Sequence, residues 1–192
     1  PITFNTSQVT TMSDMFSDVG AFNQPLTFNT EQVTDMSGMF QDAGAFNQSL
    51  AFNTGQVTDM SDMFAGARAF NQSLTFNTSQ VTEMQEMFAG AESFNQPLTF
   101  NTEQVMDMSD MFQNATAFNN GGQPLAISIT GTSTNMFAGS IFTPWYNNGG
   151  PSLSHWKGPC SLGDGLVGCD ATQLKKIKQF YNAHRHRTCK NM

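Results

Sequence analysis

The residues that could do chemistry fall into a few groups. Three cysteines, Cys160, Cys169 and Cys189, stand near the C-terminal end of the chain. In an oxidising compartment Cys160 and Cys169, on either side of a glycine-rich loop, are the first choice for a disulfide, which leaves Cys189 to bridge to a second chain. The alternative is a zinc site joining the three thiolates to His184 or His186, but the usual close pair of cysteines is missing. Gly163-Asp164-Gly165-Leu166-Val167-Gly168 fits the dinucleotide pattern G-x-G-x-x-G. No clear strand precedes it and no βαβ unit surrounds it, so it reads as a plain loop. Two series of carboxylates, Asp35/Asp59/Glu83/Asp107 and Asp14/Asp62/Glu86/Asp110, form columns in register with one another. Stacked acids repel and calcium could relieve them, although a solvated acidic face is the simpler reading. His155, His184 and His186 are the only histidines, and no Ser or Cys motif accompanies them as nucleophile and base. The chain is therefore expected to be no enzyme and to need no cofactor. Sequons at Asn5, Asn47, Asn71, Asn77 and Asn114 are candidates for glycan.

What spaces these groups is a repeat. Met36-Ser37-Gly38-Met39-Phe40 returns at Met12, Met60, Met84 and Met108, each step being 24 residues. A period of that size predicts a repeat solenoid. Leu26 and Phe28 alternate with Thr27, as in a short half-buried strand. Met36, Met39, Phe40 and Ala43 fall at i, i+3, i+4 and i+7, which predicts a short helical turn. Thr34 would be its N-cap and Gly44, or a nearby Gly66 or Gly90, would close it in the left-handed region. Parallel strands of successive coils would lie about 4.8 Å apart, so that equivalent residues become continuous ridges. Phe4/Phe28/Phe52/Phe76/Phe100 form one and Phe22/Phe46/Phe70/Phe94/Phe118 another, each buried Phe or Met contributing roughly 1.5–3 kcal/mol. Asn29 and Asn23, with their copies, are expected at the corners, their amides bonding backbone.

The unit Phe-Asn-Gln-Pro-Leu-x-Phe-Asn-Thr-x-x-Val-Thr-x-Met-Ser-x-Met-Phe resembles the BspA-type leucine-rich repeat, also called the DUF285 repeat, over residues 1 to about 118. Family units usually carry Trp-Asp-Thr-Ser-Asn-Val-Thr where this chain has Phe28-Asn29-Thr30-Glu31-Gln32-Val33-Thr34. The resemblance implies a leucine-rich-repeat-like solenoid in a secreted or surface protein that binds or adheres rather than catalyses.

Residues 1–120 form five units, 121–144 a degenerate sixth with Leu125, Ile127, Met136 and Phe137 in repeat positions, and 145–192 a cysteine-containing basic cap. Asp170 to about His186 reads as a C-terminal helix with Asp170 as N-cap. The net charge of −7 divides unevenly: residues 1–120 carry thirteen acids against Arg68, whereas 121–192 carry seven bases against Asp164 and Asp170. That balance argues against a nucleic-acid partner. No run of apolar residues is long enough to span a membrane as a helix.

Pro1-Ile2-Thr3-Phe4 aligns with Pro25-Leu26-Thr27-Phe28, so the first coil is expected to lack a cover. A second copy could supply it, with Pro1, Ile2 and Phe4 meeting Lys175, Lys176, Lys178, Arg185 and Arg187 head to tail. The function expected is thus structural: an extracellular fibre or surface layer. The alternatives are an adhesion module binding glycan or protein on its repeat face, and ice binding through the columns Thr6/Thr30/Thr54/Thr78/Thr102 and Thr10/Thr34/Thr58/Thr82.

Overall fold

The computed structural model describes residues 4–122, 125 and 127–140. The expected C-terminal helix, all three cysteines, all three histidines, the glycine loop, and Pro1, Ile2, Lys175, Lys176, Lys178, Arg185 and Arg187 lie outside the described residues.

Each coil stands beside its neighbour in the sequence's own register. Parallel bridges join Thr11 to Asp35, Asp35 to Asp59, Asp59 to Glu83, Glu83 to Asp107 and Asp107 to Thr132. The last step is one residue longer than the others. Within that step lies a three-residue 3-10 helix, Asn120–Gly122, the only helix among the described residues. Beyond it Leu125, Ile127, Met136 and Phe137 are buried, as their repeat positions require.

The segment expected to be a helical turn is a run of tight turns. Met36, Gly38, Phe40 and Asp42 donate their N–H groups to the carbonyls of Asp59, Ser61, Met63 and Ala65 in the next coil, at 2.7–3.0 Å. The N–H groups between them fold back: Met39 to the Met36 carbonyl, Gln41 to Gly38, and Ala43 to Phe40. An α-helix directs every interior N–H along its own axis and would leave the next coil without partners. The alternation is made by left-handed residues, Gly38 at φ 58° and Asp42 at φ 54°, with copies in every coil. Gly, Asp and Asn hold most of these positions, and these are the residues that tolerate that region. Thr34 is accordingly no N-cap. Its N–H and hydroxyl both donate to the Thr10 carbonyl in the preceding coil. Nor does Gly44 supply the left-handed residue of its coil; Asp42 does, while Gly66 and Gly90 occupy the equivalent place further on.

The side expected to be a strand is extended, with Leu26, Phe28 and Thr30 buried and Thr27 and Asn29 exposed. Side chains replace a backbone ladder there. The Thr30 hydroxyl donates to the Asn53 carbonyl at 3.0 Å and accepts from the Asn53 N–H at 2.8 Å. Thr54, Thr78 and Thr102 repeat the donation. At the next corner Asn23 Oδ1 accepts from the Asn47 N–H, Asn47 Oδ1 from Asn71, Asn71 Oδ1 from Asn95 and Asn95 Oδ1 from Asn119. These amides link neighbouring coils, whereas those of the Asn29 column close turns within a coil, as at Glu31 N–H to Asn29 Oδ1.

The core contains a ridge that the sequence period had placed on a helix. Phe16, Phe40, Phe64, Phe88, Phe112 and Phe137 stack at 5.4–5.6 Å between ring centres. Each of the first five also stacks on the Phe22-series ring of its own coil at 4.0–4.3 Å, with nearly parallel planes. The Met36 and Met39 series fill the space around them, fully buried in the inner coils.

The left-handed positions yield a contrast between two glycines. At Gly66, φ 68°, an added Cβ would run into the Asp42 carboxylate and lie 3.3 Å from the Asp42 Cα, whereas at Gly44 the nearest atom is the Gly20 carbonyl oxygen at 3.9 Å. Gly66→Ala is expected to cost about 2 kcal/mol, and Gly44→Ala less than about 0.5 kcal/mol, by urea denaturation.

Candidate functional site

Two surfaces of different character run along the stack. The first is acidic. Asp35, Asp59, Glu83 and Asp107 lie on the bridging residues themselves, so backbone pairing fixes them one above another. Asp35 and Asp59 each fold into an Asx-turn, accepting from the N–H and hydroxyl of Ser37 or Ser61 at 2.6–2.9 Å. Asp107 accepts the Ser109 N–H at 2.8 Å. Gln85 stands in the serine place after Glu83.

The second acidic column, Asp14, Asp62, Glu86 and Asp110, occupies left-handed positions, and Gly38 fills the gap between Asp14 and Asp62. The Asp14 carboxylate lies over Gly38, in the space that a Cβ there would need. Partial burial, and then the charges of Glu86, Asp59 and Asp14, push the Asp62 carboxyl up to about 6. Glu83 is raised in the same direction by burial, Asp59 and Asp107. Among the described residues no group of three or more His, Cys, Asp or Glu side chains is arranged to hold a metal ion. The calcium reading thus finds no ligand set there. The only salt bridge among the described residues, Arg68 with Glu92 at 3.7 Å, leaves both columns unneutralised.

The second surface is neutral. Its outward positions are Pro25/Ser49/Ser73/Pro97, Thr27/Ala51/Thr75/Thr99 and Asn29/Asn53/Asn77/Asn101, all exposed and none charged. Its inward positions, Leu26, Phe28 and their copies, are buried. No described hydrogen bond engages the hydroxyls of Thr27, Thr75 or Thr99.

The threonines singled out in the sequence fare differently. Thr6, Thr30, Thr54, Thr78 and Thr102 are 2–5% exposed. They face the core side, where Thr30 and its later copies serve as rungs, so they cannot meet an ice lattice. Thr34 and Thr58 are exposed and Thr82 is half-buried, but each hydroxyl is spent on a carbonyl of the preceding coil. Sequence pattern alone did not mark the Thr27 column, although its alternation with buried Leu26 and Phe28 was the available signal.

Of the residues expected to make an assembly contact, Phe4 is described and is 63% exposed; Met15 and Val19, at 39% and 45%, are the other large apolar side chains exposed on the first described coil. No helix among the described residues is long and apolar enough to cross a membrane.

Compared with known families, residues 2–51 and 50–144 match the family described as Mycoplasma protein of unknown function, DUF285. No curated protein and no solved structure matches the chain.

The raised carboxyls fix the sign of a pH effect. Because Asp62 binds its proton more tightly folded than unfolded, its contribution is full below the ordinary carboxylate range and is lost as pH rises through about 6. Acidification from pH 7.5 to 5 should therefore raise the melting temperature. Asp62→Asn should stabilise the protein at pH 7.5 by about 1 kcal/mol after allowance for solvent screening, and should flatten the pH profile. Thermal melts across that range measure both.

Proposed function

The chain belongs to the DUF285 family, and we propose that it is a non-catalytic, extracellular or cell-surface binding module: a leucine-rich-repeat-like solenoid that adheres to a glycan or protein through its neutral face. The observation that carries this reading is the division of the surface. Thr27, Thr75 and Thr99 offer hydroxyls left unused by the fold, the Asn29 column stands beside them, and neither these columns nor the Pro25 column carries a charge over four successive coils, Glu31 and Glu103 standing at the corner beyond. A rigid array of neutral donors and acceptors suits a neutral polar partner, which loses less on desolvation than a charged one. The acidic columns on the rest of the coil repel polyanions and favour solubility of the stack.

A neutral contact has a signature in salt. Binding to a neutral-glycan array or to surface proteins should change little between 0.05 and 0.5 M salt, roughly the range over which screening removes exposed charge–charge attraction. The double change Thr27→Glu and Thr75→Glu should abolish binding while leaving the melting temperature within a few degrees of the parent. Binding that survives this change, or that vanishes with salt, would count against the neutral face.

Head-to-tail self-association into a fibre or surface layer is a second reading. It is favoured by the opposite charges of residues 1–120 and 121–192. Sedimentation at low salt should then show species larger than a monomer, reduced by Phe4→Ser; a strict monomer at high concentration would remove this reading.

A further inference from the structure

We propose that Asn5 and Asn77 are attachment sites for Asn-linked glycan and that the folded coils exclude it from Asn47, Asn71 and Asn114, an inference that rests on the extracellular placement proposed above but not on the neutral face or its partner. The sequence offers five sequons without ranking them. The fold ranks them by what crowds each carboxamide.

Asn5 and Asn77 belong to the column whose amide closes its own corner, and both are exposed. At Asn5, Oδ1 accepts from the Ser7 N–H at 3.3 Å and from the Ser7 hydroxyl at 2.9 Å. At Asn77, Oδ1 accepts the Ser79 N–H at 3.1 Å. The sequon thus engages the oxygen of the carboxamide, and no described hydrogen bond engages Nδ2 at either residue. The same Asx-turn recurs at Asn29, Asn53 and Asn101, but Glu31, Gly55 and Glu103 stand where the hydroxyl is needed. The five regular coils build the shape, and coils one and four alone combine it with the required hydroxyl.

The other three sequons are committed elsewhere. Asn47 Oδ1 accepts from the Asn71 N–H and from Gln72 Nε2, and Asn71 Oδ1 from the Asn95 N–H and Gln96 Nε2, all at 2.9–3.0 Å. The sequon hydroxyl after Asn71, on Ser73, donates to Gln96 Oε1 rather than to the asparagine. Asn47 and Asn71 are half-buried where Asn5 and Asn77 are exposed, and a sugar at either corner must find room beside the glutamine side chain bonded to that amide. Asn114 is left-handed at φ 56°. Its carboxamide lies against Gly139, and the Thr116 hydroxyl donates to the Glu92 carbonyl.

The donor implied is an oligosaccharide carried on a lipid pyrophosphate, delivered by a transferase to the entering chain. Nδ2 forms a bond to the anomeric carbon, the carbon–oxygen bond to pyrophosphate breaks, and the lipid pyrophosphate leaves with the electron pair. The Nδ2 proton passes to a base of the transferase. Folding then retains only chains whose glycans the coils can accommodate.

The full chain, secreted from a eukaryotic cell behind a signal peptide, can be treated with peptide N-glycosidase in heavy-oxygen water, which converts each glycosylated Asn into a labelled Asp for peptide mass spectrometry. Label is expected at Asn5 and Asn77 and at no other sequon, with Asn5→Gln and Asn77→Gln each removing one glycan from the intact mass. An unlabelled Asn5 or Asn77 overturns the assignment of that residue. Label at Asn47, Asn71 or Asn114 in the folded, secreted protein overturns the ranking.

Discussion

Between Met36 and Ala43 every second peptide N–H leaves its own coil and bonds a carbonyl in the next. This is the constraint from which the rest follows. A peptide group hidden from water must find a partner, and for these alternate N–H groups it lies 23 residues away in the next coil. Equivalent residues are therefore forced into columns whether or not their side chains suit one another. Phenylalanine and methionine profit from this, because a column of identical apolar groups is a continuous core. Nearly parallel Phe rings, with centres 4.1 Å apart within a coil and 5.6 Å apart between coils, run through it.

Acids are placed by the same rule at a cost. Once Asp35 is bridged to Asp59, and Asp59 to Glu83, their charges cannot separate. Asx-turns with serine absorb part of the burden by giving the carboxylate oxygens donors. In the neighbouring column the left-handed backbone selects Asp, Asn or Gly, and so restricts what can stand there for reasons unrelated to charge. Glu86 is an exception to that preference, and it is also the foremost charge acting on Asp62. Backbone geometry and electrostatics thus meet at one residue.

The uncharged side of the coil has another origin. There the chain is extended, and Thr30 bridges coils through its hydroxyl in place of a backbone ladder. Because the inward hydroxyls do this work, the outward ones at Thr27, Thr75 and Thr99 are not drawn into the fold. The asparagines divide their labour in a similar way: Asn29 and its copies fasten a corner within one coil, and Asn23 and its copies fasten one coil to the next. Identical residue types at two corners thereby differ in their availability to anything outside.

The sequence by itself determined the 24-residue register, the inward places of Leu26, Phe28, Met36 and Phe46, and the corner role of Asn29, since each of these needs only periodicity and the tendency of apolar groups to leave water. Spacing could not decide between a helical turn and a chain of tight turns at Met36 to Ala43, because both put the same residues inside. That choice was made by the neighbouring coil, whose carbonyls claim alternate N–H groups. It moved Thr34 from cap to rung and shifted the left-handed residue from Gly44 to Asp42. Only the tertiary structure could separate the turn-closing Asn77 from the coil-linking Asn71. The local sequences around these residues are nearly alike, and the difference lies in which atoms of the next coil stand opposite.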